Sequence, residues 1–160
     1  MKGMEMALRE IIKYQTGDIL RIKAQKVDKI DLNILTVLED MTETLHHAGG
    51  KGLAAPQIGV SLRLVVLTTE TNYMKLINPV IVKAIGEQIS LEGCLSLPGI
   101  YGKVKRPDFI LIEALDMSGK QIEMKAHDRQ AATIAHEIDH LDGILLIDKA
   151  IQVVTYRKHM

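Results

Sequence analysis

Apolar residues recur every three or four positions in two stretches of the chain and cluster in short runs elsewhere, with glycine, proline and aspartate between them. Ile34, Leu35, Leu38, Met41 and Leu45 repeat at helical spacing behind Asp31, a good N-cap, and Gly49-Gly50 stops the run, so a helix is predicted from about residue 31 to residue 47. Ala131, Ala132, Ile134, Ala135, Ile138 and Leu141 predict a second helix, buried and closed by Gly143. Strand signals cover residues 11–14, 62–68, 74–77 and 80–89, with Pro79 and Gly86 as punctuation. Residues 108–114 and 121–125 flank Asp116-Met117-Ser118-Gly119 as a β-hairpin, and 144–147 predicts a short final strand. Residues 20–27 predict an irregular wrap, and 92–99 a turn-rich segment. The hairpin makes the sheet mainly antiparallel.

The second helix carries the chemistry, in the run His136-Glu137-Ile138-Asp139-His140. Residues four apart lie one above the other on a helix, so the two imidazoles grip one ion from one side. Glu137 stands about 100° further round, within reach of water at that ion, and is the natural general base. A solvated helix can carry the same letters by accident, but the apolar run before it argues for burial, and buried imidazoles need partners. His46 and His47 end the first helix, where the dipole favours cations, and read as capping residues.

A catalytic metal commonly takes three protein ligands. Cys94, another histidine and a carboxylate are all candidates for the third; the sole cysteine, in its Gly-Cys turn, is the most suitable soft ligand, although a lone cysteine is often only a small buried hydrophobe. Gly50-x-Gly52-x-x-Ala55 superficially matches a dinucleotide fingerprint. It follows a helix, however, and Pro56 turns Ala55 away from helical geometry, so its small residues are better suited to close approach by another backbone, with Gln57 offering an amide beside it. Glu92 and Arg106 are expected to pair and fix the cysteine loop.

Composition narrows the rest. The chain has 160 residues, 47% of them hydrophobic, which suits one domain over residues 1–160. Twenty basic and twenty acidic residues cancel, so no overall field recruits nucleic acid or an anionic membrane. One cysteine fits a reducing compartment, no apolar run approaches a membrane span, and the start at residues 1–6 leads into charge rather than a signal core, so a cytoplasmic protein is expected.

Three segments in series, Gly50-x-Gly52-Leu53-Ala54-Ala55-Pro56-Gln57, Glu92-Gly93-Cys94-Leu95-Ser96 and His136-Glu137-x-Asp139-His140-Leu141-x-Gly143, resemble the peptide deformylases over nearly the whole chain. The resemblance implies an α+β fold with antiparallel sheets wrapped around the helix of the two histidines. It implies one divalent metal on Cys94, His136 and His140, iron(II) by preference with zinc or nickel as substitutes. Glu137 would be the acid and base, and Gln57 with the backbone N–H of Leu95 would hold the formyl oxygen. Gly52 and Gly93 would adjoin the substrate, and Ser90, Arg129, Ala132 and Thr133 would line the pocket for its first side chain. The substrates would be N-formylated nascent peptides, met by a monomer in transient contact with the ribosome.

The chain also departs from the family pattern. Lys51 stands where an aliphatic residue is usual, Asp128-Arg129-Gln130-Ala131 and Ala135 replace a more apolar run, and the tail after Ile147 is short and charged. No departure removes a ligand or the base; methionine preference is what they weaken. Two rival readings remain, a general zinc peptidase, which leaves Cys94 and Gln57 unexplained, and a non-catalytic binder of peptide N-termini, which has no need of Glu137.

Overall fold

The computed structural model describes residues 7–156, so the opening stretch 1–6 and its bearing on a signal segment lie outside the described residues. In chain order stand α1 (Leu32–Ala48), β1 (Gly52–Ala54), β2 (Leu64–Thr68), β3 (Tyr73–Ile85), β4 (Gln88–Cys94), β5 (Leu97–Arg106), β6 (Phe109–Leu115), β7 (Gln121–His127), α2 (Asp128–Leu141), α3 (Leu146–Lys149) and β8 (Ala150–Thr155). The fold is α+β. One sheet has the order β1-β2-β3-β6-β7 and the other β4-β5-β8, with every neighbouring pair antiparallel.

The predicted first helix is present with both its caps. Asp31 accepts a hydrogen bond from the Ile34 N–H at 3.0 Å, and Gly49 leaves the helix at φ 70°, donating to the Leu45 carbonyl. Successive residues of β2 point to opposite faces, so Leu64 and Val66 join a core with Val37, Leu38 and Met41 of α1, while Val65 and Leu67 join another with Ala131, Ile134 and Ile138 of α2. The β2 run is apolar without alternation because both its faces are covered. A third core, around Leu20, Leu97, Val104 and Leu146, lies under the smaller sheet, and α2 packs against strands of both sheets.

Several strand predictions shift. Residues 11–14 form no strand; Ile12 and Tyr14 donate to the carbonyls of Gln57 and Ser96, so loops rather than a ladder hold this extended segment. Residues 20–27 start in a single turn of 3-10 helix, Asp18–Arg21, and then run irregularly to one bridge between Gln25 and Leu62. The segments 74–77 and 80–89 are not two strands: β3 runs through Pro79 by means of a bulge, with Asn78 at φ 53° and its amide clamped on both the N–H and the carbonyl of Val27. Residues 92–99 are the heart of a hairpin, with only Leu95 and Ser96 in its turn. The predicted strand 144–147 is the start of α3, where Asp148 accepts from the Leu145 N–H, and the final strand is β8. The hairpin around Asp116 forms as expected, with the Asp116 carboxylate accepting from the N–H groups of Ser118 and Lys120.

Candidate metal centre and catalytic cleft

The histidines of α2 face inward. His136, Glu137 and His140 are 8%, 4% and 1% exposed, on a helix buried along most of its length from Ala131 to Leu141. Asp142 caps the helix, Gly143 turns the chain at φ 74°, and Ile144 donates back to the Asp139 carbonyl, so the last turn that carries His140 is held by backbone bonds. Cys94 arrives at the end of β4. One donor atom from each of Cys94, His136 and His140 lies within 4.8 Å of the others, and Cys94 Sγ is 3.3 Å from His140 Nε2.

The surroundings decide what these donors can do. His136 Nδ1 lies 2.8 Å from Glu92 Oε1, which makes Nδ1 the donor and leaves Nε2 turned to the cluster. Burial alone would depress the His136 pKa, but its bonds to Cys94 and Glu92 and the charge of Glu137 outweigh burial and push it up to about 10. A proton and a divalent cation compete for the same lone pair, so the negative surroundings that favour the one also favour the other. Burial, with His136 and Arg106 nearby, drives His140 the other way and keeps it a neutral ligand. A thiol beside two inward imidazoles is a donor set for a borderline or soft divalent ion. The residues present fit a metal.

Glu137 Oε1 lies 3.9 Å from His136 Nε2, and its Oε2 is buried without a partner among the described residues. Burial, with Glu92 adding to it and His136 opposing, pushes the Glu137 carboxyl up to about 7, where it can both take and return a proton near neutrality. Gln57 is fixed by its own carbonyl: Oε1 accepts from the Ala54 N–H at 2.9 Å, which turns the amide nitrogen to Ser96 Oγ at 3.1 Å and toward Cys94 Sγ at 3.5 Å. Leu95 sits in the adjoining turn, its carbonyl accepting from Lys13 Nζ at 3.3 Å.

Glu92 and Arg106 form a bidentate pair, with Nε to Oε2 at 2.9 Å and one terminal nitrogen to Oε1 at 2.8 Å. The other terminal nitrogen reaches Asp139 Oδ2 at 2.5 Å, and Lys149 donates to Asp139 Oδ1 at 3.0 Å. Asp139 stands in the motif that carries the resemblance, but its role is not legible along the chain, and Lys149 carries no signal there at all. Asp139 stands three residues after His136 on the helix, a spacing that places it nearby, but nothing along the chain says that Arg106 would meet it. Ser96 too stands in a quoted motif, and its contact with Gln57, 39 residues away, is not legible for the same reason.

A cleft of about 900 Å³ opens over these groups between the edge of β4, the 50–52 segment and α2. Gly52, Ser90, Gly93, Arg129 and Thr133 line it, whereas Ala132, expected in its wall, is buried outside the lining. Both glycines have a packing reason as well: a Cβ on Gly52 would stand 2.8 Å from Glu137 Cγ, and one on Gly93 would stand 2.9 Å from Tyr101 Cε1. His46 lies apart, its Nδ1 bonded to Tyr73 Oη at 2.7 Å.

Residues 8–155 match the model of the family described as polypeptide deformylase. The peptide deformylase of Acetivibrio thermocellus is 50% identical over 149 residues, 93% of this chain and 87% of that one, and that of Thermoanaerobacter pseudethanolicus is 50% identical over 148 residues, 92% of each. Among solved structures, a peptide deformylase from Legionella pneumophila superposes with a TM-score of 0.86 at 40% identity, covering 89% of this chain and 86% of its own. That of Thermotoga maritima gives 0.88 at 33% identity, covering 91% and 99%. With half of its residues shared along nearly its whole length, the chain belongs to the peptide deformylase family.

Proposed function

We propose that this chain, a single catalytic domain, hydrolyses the formyl group from N-formylmethionyl peptides and releases formate, with the helix of His136 and His140 as the centre around which both sheets are arranged. The observation that carries the reading is the convergence of Cys94, His136 and His140 with an unpartnered Glu137 oxygen and an oriented Gln57 amide. A divalent ion on the three ligands, iron(II) by family resemblance with zinc or nickel as substitutes, supplies Lewis-acid activation of water and of the formyl carbonyl. Glu137 takes the proton of the attacking water and returns it to the leaving amine. Gln57 Nε2 and the Leu95 N–H donate to the formyl oxygen as it gains charge, and one such donor is typically worth about 3 kcal/mol. Asp139 holds Arg106, Arg106 holds Glu92, and Glu92 holds the ring of His136.

The cleft supports an extended substrate. β4 is an edge strand with its free side along the cleft, and Gly52 and Gly93 leave room for a second backbone. Ser90 and Thr133, with the stem of Arg129 at the rim and its exposed guanidinium beyond, give the pocket for the first side chain a polar wall, and one methylene of discrimination is worth only about 1 kcal/mol even in an apolar pocket, so preference for methionine over other formylated residues is weaker here than in an apolar site. The same reading makes the protein a cytoplasmic monomer that meets nascent chains in transient contact with the ribosome, without a nucleic-acid or membrane site. Zero formal net charge supports the last point, and no helix among the described residues is long and apolar enough to cross a membrane.

A general peptidase leaves the Gln57 and Cys94 placement without a purpose, and a mere binder of peptide ends has no use for a carboxylate buried at this cost. Formate release from a formyl-methionyl peptide separates the three readings. In Glu137→Ala it falls by at least ~10², the scale of a lost general acid and base, while metal content stays near wild type. Turnover retained in that variant would show that another group moves the proton.

A further inference from the structure

Two of the cleft's cations serve neither the metal centre nor the fold. Lys51 lines the cleft beside Gly52, and Arg129 lines it from the first turn of α2. Both are exposed, and neither forms an ion pair among the described residues. Lys13 adds a third positive group at the turn of Leu95. The carboxylates within the cleft do not cancel them: Glu92 is buried against Arg106 and His136, and Glu137 is buried over the reacting centre. Asp128 precedes Arg129, but consecutive helical side chains do not face each other, and Asp128 is not part of the lining.

Position gives the Arg129 charge a target. Arg129, Thr133 and His136 share one face of α2 at spacings of four and three, which sets Arg129 roughly 10 Å along the axis from His136. An extended peptide advances about 3.3 Å per residue, so one whose formyl group lies at Cys94 and which runs back along β4 toward Gln88 passes Arg129 at its second and third residues. Gln88 Nε2 donates to the carbonyls of Asp128 and Pro107 at 2.6 and 2.9 Å, which ties β4 to the start of α2 and keeps the two walls together there.

We propose that Arg129, with Lys51 adding to the positive field of the cleft, makes it selective for formylated peptides that carry carboxylate side chains at their second and third residues. The inference rests on the deformylase reading and adds a substrate class to it. An exposed ion pair is worth a few-fold at most, and replacing an acidic by a basic side chain turns attraction into repulsion, so the two cations together separate the extremes by on the order of tenfold. The effect lies in KM, because the charges act on parts of the peptide that do not react.

The test is kcat/KM for the amides of formyl-Met-Glu-Glu, formyl-Met-Gln-Gln and formyl-Met-Lys-Lys, at low and high salt, in wild type and in the double variant Lys51→Met, Arg129→Leu, with metal content measured in each. The expected order at low salt is Glu over Gln over Lys, spread through KM. It collapses at high salt, where exposed charges are screened, and in the double variant at unchanged metal content. Equal constants for the Glu and Lys peptides in wild type overturn the proposal, and so does a preference that survives the double substitution. If none of the three is hydrolysed, the deformylase reading fails; the affinities of Met-Glu-Glu and Met-Lys-Lys amides, measured by calorimetry, then decide the charge selectivity separately, equal values overturning it.

Discussion

Glu92 accepts from His136 on one side and from Arg106 on the other, and the value of each contact depends on burial. Burial alone would raise its pKa; the hydrogen bonds from His136 and Arg106, with the Arg106 charge, outweigh burial and bring the carboxyl from 4.5 down to about 2. A folded pKa below the unfolded one means that the ionised pair stabilises the fold fully above about pH 4.5 and loses that contribution as pH falls toward 2. Glu92→Gln leaves the buried Arg106 with Asp139 alone, and breaking one side of a buried ion pair costs about 3–5 kcal/mol. Urea unfolding at pH 7 is therefore expected to show a loss of that size, shrinking as the comparison is repeated at pH 4 and pH 3, where wild type gives up the same interaction. A gap between the two proteins that stays constant with pH would mean that the carboxylate is not held as described.

Among the elements, those stabilised by local signals could be read along the chain. Asp31, a 3.6-residue apolar period and Gly49 specify α1, and Asp116 with Gly119 specifies the turn between β6 and β7, because each involves partners only a few residues apart. β5 and β8 could not be read in this way. Gly-Lys-Val-Lys in β5 and the short tail after α3 carry little strand signal, and they pair because β5 lies between two partners in the smaller sheet. Asn78 holds β3 together across Pro79 by a clamp on Val27, 51 residues away. The end of α2 tests such a tertiary constraint. Gly143 lies at φ 74°, and a Cβ there would stand 2.6 Å from the Arg21 carbonyl oxygen. Gly143→Ala should lose at least ~1–2 kcal/mol from the left-handed backbone alone, with the clash added, and should lower metal content because His140 is in the last turn. An unchanged melting temperature would show that the chain there relaxes without strain.

At the scale of the molecule, the three proposed ligands join a strand end of the smaller sheet to a helix that packs against both sheets, so metal binding closes a contact between elements distant in sequence. An ion that binds only the folded form stabilises it by about 4 kcal/mol at a thousandfold excess over its Kd, which for a chain of this size corresponds to roughly 10 °C. Removing the metal with a chelator should lower Tm by that order. Cys94→Ala should start with reduced metal content and respond little to the chelator. A full metal complement in Cys94→Ala would remove the thiolate from the site.

Residue types and spacings were enough, without coordinates, to mark His136, Glu137 and His140 as a candidate metal site, because a helix converts a spacing of four into a shared face. The family resemblance carried by the three motifs placed Cys94 and Gln57 beside them and implied the α+β class. Tertiary structure alone brought Arg106 between Glu92 and Asp139, added Lys149, set the Gln57 amide against Ser96, and placed Lys51 and Arg129 in one cleft. These are contacts between segments that only the packing of two sheets on one helix brings together, and no local propensity records them.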